Sequence, residues 1–426
     1  MHDADKDGWP YNKIEHWPPM TYRERVTPTA SALSAFTAFL KTEPSRSREH
    51  VRELQPWIPF CEGKCAFCYF PVDCRKQNTQ LYLDALKKAL SFYAENAYVK
   101  SSVFNELYVG GGSPSVLPNQ QIIDLLQYCR GTFNFNSDYL TKFTACTINL
   151  TEDKIRTLAA NNVQQLDIGI QTFNNAHRKM LQLRDNNTEA KLKLTTAKKH
   201  GLRISIDLLY NLPGQTLEQW KDDVKQALEL EVESVDCYPL DLYPETALAK
   251  KIAAGELPPV GHLKTELRMH LEAYRIFKEN GYAPTCHNRF SRLKEDFNRP
   301  SSEIVGTGAG FFMGHIGSFL YSDIEDAQEY VSAVKNGAVP IAKLAKLSTE
   351  EEKRKAMMLI YVRESVDRNE FKAQFSVFPE EAFPEQIARL QRKGLIEVHD
   401  NKIRLTEKGD PWRFNIAWEF FKNNGR

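Results

Sequence analysis

The sequence predicts an α/β protein whose body is a partial barrel of six β/α units, with an irregular N-terminal extension and a C-terminal helical domain resembling a winged helix. Three observations carry this expectation. Apolar β-type runs alternate with stretches of helical period between about 51 and 300. Start and stop signals fall between them: Thr151 precedes Glu152 and Asp153, Thr216 stands two residues before Glu218, and Gly201 follows one helical stretch and opens the next run. From about 346 the pattern changes to helices followed by a hairpin.

The chain has 426 residues, enough for two or three folded units and a large buried core. Apolar residues make up 42% and charged residues 26%, as in ordinary water-soluble proteins. The net charge of +1 does not give the strongly basic character of a general nucleic-acid binder. No apolar run approaches the roughly 18 residues that span a bilayer. The opening MHDADKDGWPYNK is polar and acidic, unlike a signal peptide. A cytoplasmic location, with no nucleic-acid partner and no membrane span, is expected.

The elements follow in order. Residues 1–50 carry Pro18, Pro19, Pro28 and Pro44 and one short helix near Ala30–Leu40; they read as an extension that wraps or lids the body. The barrel is expected over 51–300. Its strand-like runs are 53–60, 104–109, 141–149, 163–171, 202–210 and 234–242. Helical stretches occupy 79–95, 119–131, 151–161, 188–200 and 216–229, and a further one 262–280. Repeated strand–helix units imply parallel strands with right-handed crossovers. A doubly wound open sheet and a barrel both fit, and a closed eight-fold barrel lacks two repeats. In either case functional groups belong at the C-terminal strand ends. Residues 301–345 read as a connecting segment and 346–426 as the last domain. There, helical patterns at 350–364, 368–374 and 384–394 precede two short strands around His399–Asn401. A DNA-binding reading would use the helix Glu385–Lys393, but Arg389, Arg392 and Lys393 are few cations for that task, which favours a packing domain.

Eight cysteines stand at 61, 65, 68, 74, 129, 146, 237 and 286. Three fall in IPFCEGKCAFCYF, directly after the first strand. Spacing CxxxCxxC lets Cys61, Cys65 and Cys68 hold three irons of a cubane cluster and leaves the fourth iron open. An open metal position is what a catalytic centre needs. A zinc site completed by Cys74 is the rival, disfavoured by the position after a first strand and by Phe67 before the last cysteine.

The second strand runs into GGGSPS, Gly110 to Ser115, where backbone can approach a ligand closely. The fourth ends in IGIQTFN, placing Gln171 at the barrel mouth, with Arg184 following in LQLRDNN. The fifth reads RISIDLLYNLPGQT. Alternation puts Asp207 on the face opposite Ile204, Ile206 and Leu208. A carboxylate there needs a partner, either a polar ligand or Arg184.

CxxxCxxC after strand one resembles the radical S-adenosylmethionine (SAM) superfamily. GGGSPS and IDLLYNLPGQT are similar to GGGTPS and IDLIYGLPGQT of HemN-type proteins, and the resemblance extends through GTGAGFF (306–312) and LIEV…IRLTEKG over about 53–420. It implies a 4Fe–4S cluster on the three cysteines. The open iron would bind SAM, and an electron from the cluster would cleave it to a 5′-deoxyadenosyl radical. It further implies SAM contacts at Phe67, Gly111, Gly112, Ser113, Gln171, Arg184 and Asp207. Pro239 stands where some members place a backbone contact. Arg184 lies one residue further from Gln171 than the family pattern has it.

Two departures bear on the subgroup. Gln55 replaces the tyrosine of the porphyrinogen oxidases' YxHIPFC, with Trp57 in place of its histidine, and Thr147 replaces their strand-three glutamate. These changes favour a class C methyltransferase or cyclopropanase, which would use two SAM molecules to add a methyl or methylene carbon to an sp² carbon of an aromatic or heterocyclic substrate. The other expectations are a tetrapyrrole enzyme of the coproporphyrinogen oxidase kind and a haem chaperone of HemW type, for which His287 and His315 are candidate ligands. The resemblance also implies an electron donor such as flavodoxin or ferredoxin, and allows a partner methyltransferase. Cys237 and Cys286 read as buried, inert thiols, or as groups that act near the pocket.

Overall fold

The structure, a computed structural model, describes residues 8–17, 19, 26–44, 51–75, 78–285, 288–293, 303–360 and 365–421. Six parallel strands form its centre: β1 (Arg52–Ile58), β2 (Phe104–Gly111), β3 (Phe135–Ala145), β4 (Gln165–Gln171), β5 (Arg203–Tyr210) and β6 (Ser234–Pro239). They lie side by side in sequence order. A doubly wound sheet would reverse that order at a switch point; the singly wound order is that of a partial barrel. Helices cover the outside. They are α1 (Ala30–Leu40), α2 (Thr79–Ala94), α3 (Ala97–Lys100), α4 (Asn119–Thr132), α5 (Glu152–Ala160), α6 (Asn175–Met180), α7 (Asn187–Lys199), α8 (Leu217–Glu229), α9 (Ala247–Ala253) and α10 (Leu263–Glu279).

Local chemistry fixes these boundaries. Thr216 and Gln219 form a capping box at the start of α8, as Asn186 and Glu189 do for α7. The Thr151 side chain caps α5 through the Lys154 amide. Leu54 and Ile58 face the helical layer and are fully buried; their neighbours Glu53, Gln55 and Trp57 therefore point inward.

The sheet is larger than the sequence suggests. Strands β7 (Ala283–Pro284) and β8 (Arg289–Ser291) add to β6 in antiparallel fashion. On the other edge, β9 (Glu303–Thr307) pairs parallel with β1, and β10 (Met313–Ile316), β11 (Phe319–Asp323) and β12 (Ile341–Lys346) continue antiparallel. The expected connecting segment 301–345 thus contributes four strands to the sheet, with the helix Ala327–Lys335 between the last two. Those strands have four to six residues and are broken by glycines, so no periodic run announces them. The third strand also ends earlier than expected, at Ala145, and Thr147–Asn149 is a 3₁₀ turn.

The extension divides in two. Helix α1 packs Phe36 and Phe39 against Phe319 on β11. Residues 8–17 run elsewhere: Trp9, Tyr11 and Ile14 pack into the C-terminal domain's own core. That domain has helices Thr349–Met357, Arg368–Phe375, Pro384–Arg392 and Arg413–Glu419 around a sheet of β13 (Ser365–Asp367), β14 (Ile396–His399) and β15 (Lys402–Leu405). Its helix Pro384–Arg392 is not a free DNA-reading face. Arg389 pairs with Glu419, and Lys393 donates to the Pro10 carbonyl at 3.2 Å and covers the Tyr11 ring. Among the described residues no helix is long and apolar enough to cross a membrane.

Candidate active site

The cysteine loop leaves β1 and is closed at its neck. The Cys61 amide donates to the Asp73 carbonyl at 3.0 Å, and the Asp73 amide to Pro59 at 2.8 Å. Its tip is held from two sides: Ala66 donates to the Leu181 carbonyl at 2.9 Å and accepts from Leu248 at 2.8 Å. Phe67 packs beside Ala66 in the apolar cluster that includes Leu181 and Leu248. The glycine loop is stitched to the same strand exit. Gly112 donates to Ile58 at 2.8 Å and Ser113 to Phe60 at 2.8 Å. Gly111 has φ +127°, and a Cβ there would run into the Ile58 carbonyl. A Cβ on Gly112 would stand 2.7 Å from the Cys61 sulfur. Lys154 secures the loop from below, donating to the Ser115 and Leu117 carbonyls.

Cys61, Cys65 and Cys68 are thus on one loop, with Ser113 Oγ 3.6 Å from the Cys61 sulfur. Burial pushes the Cys61 and Cys65 thiols up to about 12, and raises Cys68 as well. Such thiols stay neutral until a metal's charge removes their protons. Three thiols on one loop, with Cys74 left outside it, match the three-thiolate donor set of a cluster whose fourth iron is open. Cys74 is exposed and lies beyond the loop's neck.

Arg184 reaches this loop despite its shifted spacing. Its guanidinium lies where a Gly63 Cβ would be, 4.0 Å from Glu62. Arg178 anchors the turn that carries it by pairing with Asp185, and also donates to the Ile170 and Thr172 carbonyls at 3.0 and 2.9 Å. Gln171 ends β4 in a left-handed conformation, φ +67°. For a non-glycine residue that costs about 1 kcal/mol or more and persists only where its surroundings enforce it. Buried Asp223 does so, accepting from the Thr172 hydroxyl at 2.8 Å and the Phe173 amide at 2.6 Å.

Asp207 lies inside the barrel, level with Gly169 and Asp236 on the flanking strands. Burial, with Asp236 and Asp167 nearby, pushes its carboxyl up to about 8 against the opposing Arg289. Arg289 is engaged by Asp236, at 2.7 Å from Nε and 2.6 Å from Nη2. The suggested bond from Arg184 to Asp207 is not made, because Arg184 is committed to the cysteine loop. Pro239 ends β6 and lines a small cavity beside Tyr210 and His16. Gln55 is buried on β1 and Thr147 in the turn after β3.

Other candidates fall away from the mouth. His315 sits on β10 with Lys355 Nζ 2.6 Å from its Nε2. Cys237 is buried in the outer core, which fits an inert thiol. Cys286 and His287 lie outside the described residues.

The sequence reading missed a wall of aromatic rings beside the cysteine loop. Tyr69 stacks on Tyr243 with centroids 4.0 Å apart, and Phe70 on Phe311 at 4.9 Å. Trp17 meets Tyr69 edge-on at 6.0 Å and 78°. Tyr69 and Phe70 directly follow Cys68, a signal that was available. Trp17, Tyr243 and Phe311 arrive from distant segments.

Residues 56–227 match the radical SAM superfamily and residues 348–412 the HemN C-terminal domain. The chain is 30% identical over 380 residues to the heme chaperone HemW of Lactococcus lactis, covering 85% of this chain and 95% of that protein. It is 24% identical to the anaerobilin synthase of Escherichia coli, covering 84% and 81%. The fold matches that of coproporphyrinogen III oxidase (HemN) from Escherichia coli with a TM-score of 0.80 at 22% identity, over 96% of this chain and 99% of that one. A 4Fe–4S cluster and SAM are what such a family implies, and the thiols and glycine cradle fit them. The chain belongs to the HemN-type radical SAM family.

Proposed function

We propose that this protein uses SAM-derived radical chemistry on a tetrapyrrole. The observation that supports this most is the aromatic wall at the barrel mouth. Tyr69, Phe70, Tyr243 and Phe311 are all half-buried, and rings of this kind favour a flat, conjugated ligand. The relatives that match along most of the chain include heme chaperones and coproporphyrinogen III oxidases, which agrees with that ligand class. Within this reading, Cys61, Cys65 and Cys68 hold the cluster, and the Gly110–Ser113 backbone and Arg184 receive the charged methionine end of SAM. Gln171 and Asp207 face its ribose. When bound, cluster and SAM supply a radical that abstracts hydrogen. The protein's own part is position, dryness and ring stacking.

A second reading rests on Gln55 and Thr147, which replace the tyrosine and glutamate of the porphyrinogen oxidases. That change suits a site that takes a second SAM and passes a methyl or methylene carbon to an aromatic ring. One experiment separates the two. The reconstituted protein is given SAM with a deuterated methyl group, a reductant and haem or coproporphyrinogen III, without oxygen. Unlabelled 5′-deoxyadenosine formed in step with an altered tetrapyrrole supports the first reading. Deuterium in 5′-deoxyadenosine supports the second. Tight haem binding with no SAM cleavage would leave only a carrier role.

A further inference from the structure

We propose that the segment 8–17 is part of the substrate site, a strap held by the C-terminal domain that sets Trp17 as a specificity-determining wall of the barrel mouth. This rests on the reading of that mouth as a site for a planar ring.

The strap has no helix or strand of its own, yet it is tied along its length. Tyr11 packs on Trp412 with centroids 5.5 Å apart. The Asn415 side chain brackets the next turn of chain, donating to the Lys13 carbonyl at 2.9 Å and accepting from the Glu15 amide at 3.0 Å. Trp418 donates from its indole to the Trp17 carbonyl at 2.9 Å. All these anchors belong to the C-terminal domain. The last two strap residues then cross to the barrel. His16 Nε2 stands 2.9 Å from Glu266 on α10, and His16 Nδ1 3.8 Å from Asp241, two residues beyond Pro239. The Trp17 indole donates to the other Asp241 oxygen at 2.9 Å.

The consequence is positional. Trp17 lies at the C-terminal ends of the strands, edge-on to the residue that follows Cys68. A ring set edge-on to its neighbour keeps a face for a third ring. Trp17 is only half-buried, and its single polar atom is already satisfied by Asp241. What it still offers is an apolar face beside the cysteine loop. Ordering ten residues costs conformational entropy. The ties above offset that cost and fix the indole in one place, as a wall must be fixed.

The test uses the full-length, cluster-loaded protein and metal-free protoporphyrin IX, which has no metal for a histidine to ligate. Fluorescence titration reads its affinity. Trp17→Ala is expected to weaken binding about tenfold, the scale of one lost ring contact, with cluster absorbance and SAM affinity unchanged as evidence of folding. Trp17→Phe should restore most of the loss. If Trp17→Ala binds as the wild type does while Phe311→Ala loses affinity, the aromatic wall stands and the strap has no part in it. If the wild type itself does not bind the porphyrin, the tetrapyrrole reading falls and the strap's role with it.

Discussion

At the scale of single residues, the cysteine loop makes the simplest statement. Cys61→Ala, Cys65→Ala or Cys68→Ala should abolish the iron–sulfur absorbance near 400 nm and all SAM cleavage, because each thiolate holds one iron. Exposed Cys74, outside the loop's neck, should tolerate alanine with both intact. Asp207 gives a less obvious expectation. Its carboxyl, raised to about 8, is mostly neutral at pH 7 and ionises as the pH rises through that value. The groups that face it are Asp167 on β4, Asp236 on β6 and Arg289 on β8, with Cys237 and Tyr108 nearby. If the carboxylate is the form that accepts the ribose hydroxyls, SAM affinity measured by calorimetry should rise between pH 7 and 9. Asp236→Asn removes a neighbouring negative charge and should move that rise to lower pH. Asp207→Asn should flatten the profile and weaken binding by roughly tenfold or more, the worth of a buried bond to a charged group. Alternation alone placed Asp207 on the inner face. The pairing of Asp236 with Arg289 beside it was not legible, because Arg289 comes from a three-residue strand that adds to β6 and has no periodic run of its own.

At the scale of elements, the six parallel strands and the helices between them were readable because the apolar runs alternate with helical periods and several of the helices open on a capping side chain. The short strands between Glu303 and Lys346 were not, because runs this brief show no reliable alternation. The strap was unreadable for a different reason. Its order comes wholly from tertiary contacts, and nothing in GWPYNKIEHW has a secondary-structure period. Its clasp has a pH limit. Burial alone would favour neutral His16, but the bonds to Asp241 and Glu266 win and raise its pKa to about 9. A raised histidine stabilises the folded arrangement fully below its ordinary value and loses that contribution as the pH passes through about 9. Besides Asp241 and Glu266, the clasp faces Trp17 on the strap, and Asn211, which donates to Glu266 at 3.3 Å. Tryptic cleavage after exposed Lys13 should therefore be slow at pH 7 and accelerate above pH 9. His16→Gln should cleave readily at both. Equal rates for the wild type at pH 7 and pH 9.5, once corrected for trypsin's own pH dependence, would remove the clasp from the account.

At the scale of the whole molecule, the C-terminal domain has a task beyond covering the barrel. It carries Asn415 and Trp418, and through them the strap. Replacing both, Asn415→Ala with Trp418→Phe, removes three hydrogen bonds. At about 1 kcal/mol each, that loss should free the strap to trypsin. The melting temperature should stay nearly constant, since the core of that domain is left intact. A large fall in melting temperature with the strap still protected would mean that these residues serve the domain and not the strap. The family resemblance pointed to the domain itself but not to this connection, which spans some 400 residues of chain.

The pairing of β1 bears on how the protein is made. The strand that leads into the three cysteines lies between β2 and β9, and Arg52 finds its partner Glu303 251 residues later, at 2.6 Å. While the chain is leaving the ribosome, one side of β1 has no neighbour until that distant stretch emerges. A bare strand edge invites wrong pairing, and contacts this far apart in sequence form slowly. The nascent protein therefore passes through a period in which its cysteine loop hangs from a half-finished sheet. Iron delivered during that period meets open thiols, and iron delivered afterwards meets a loop whose supporting strand is locked on both sides.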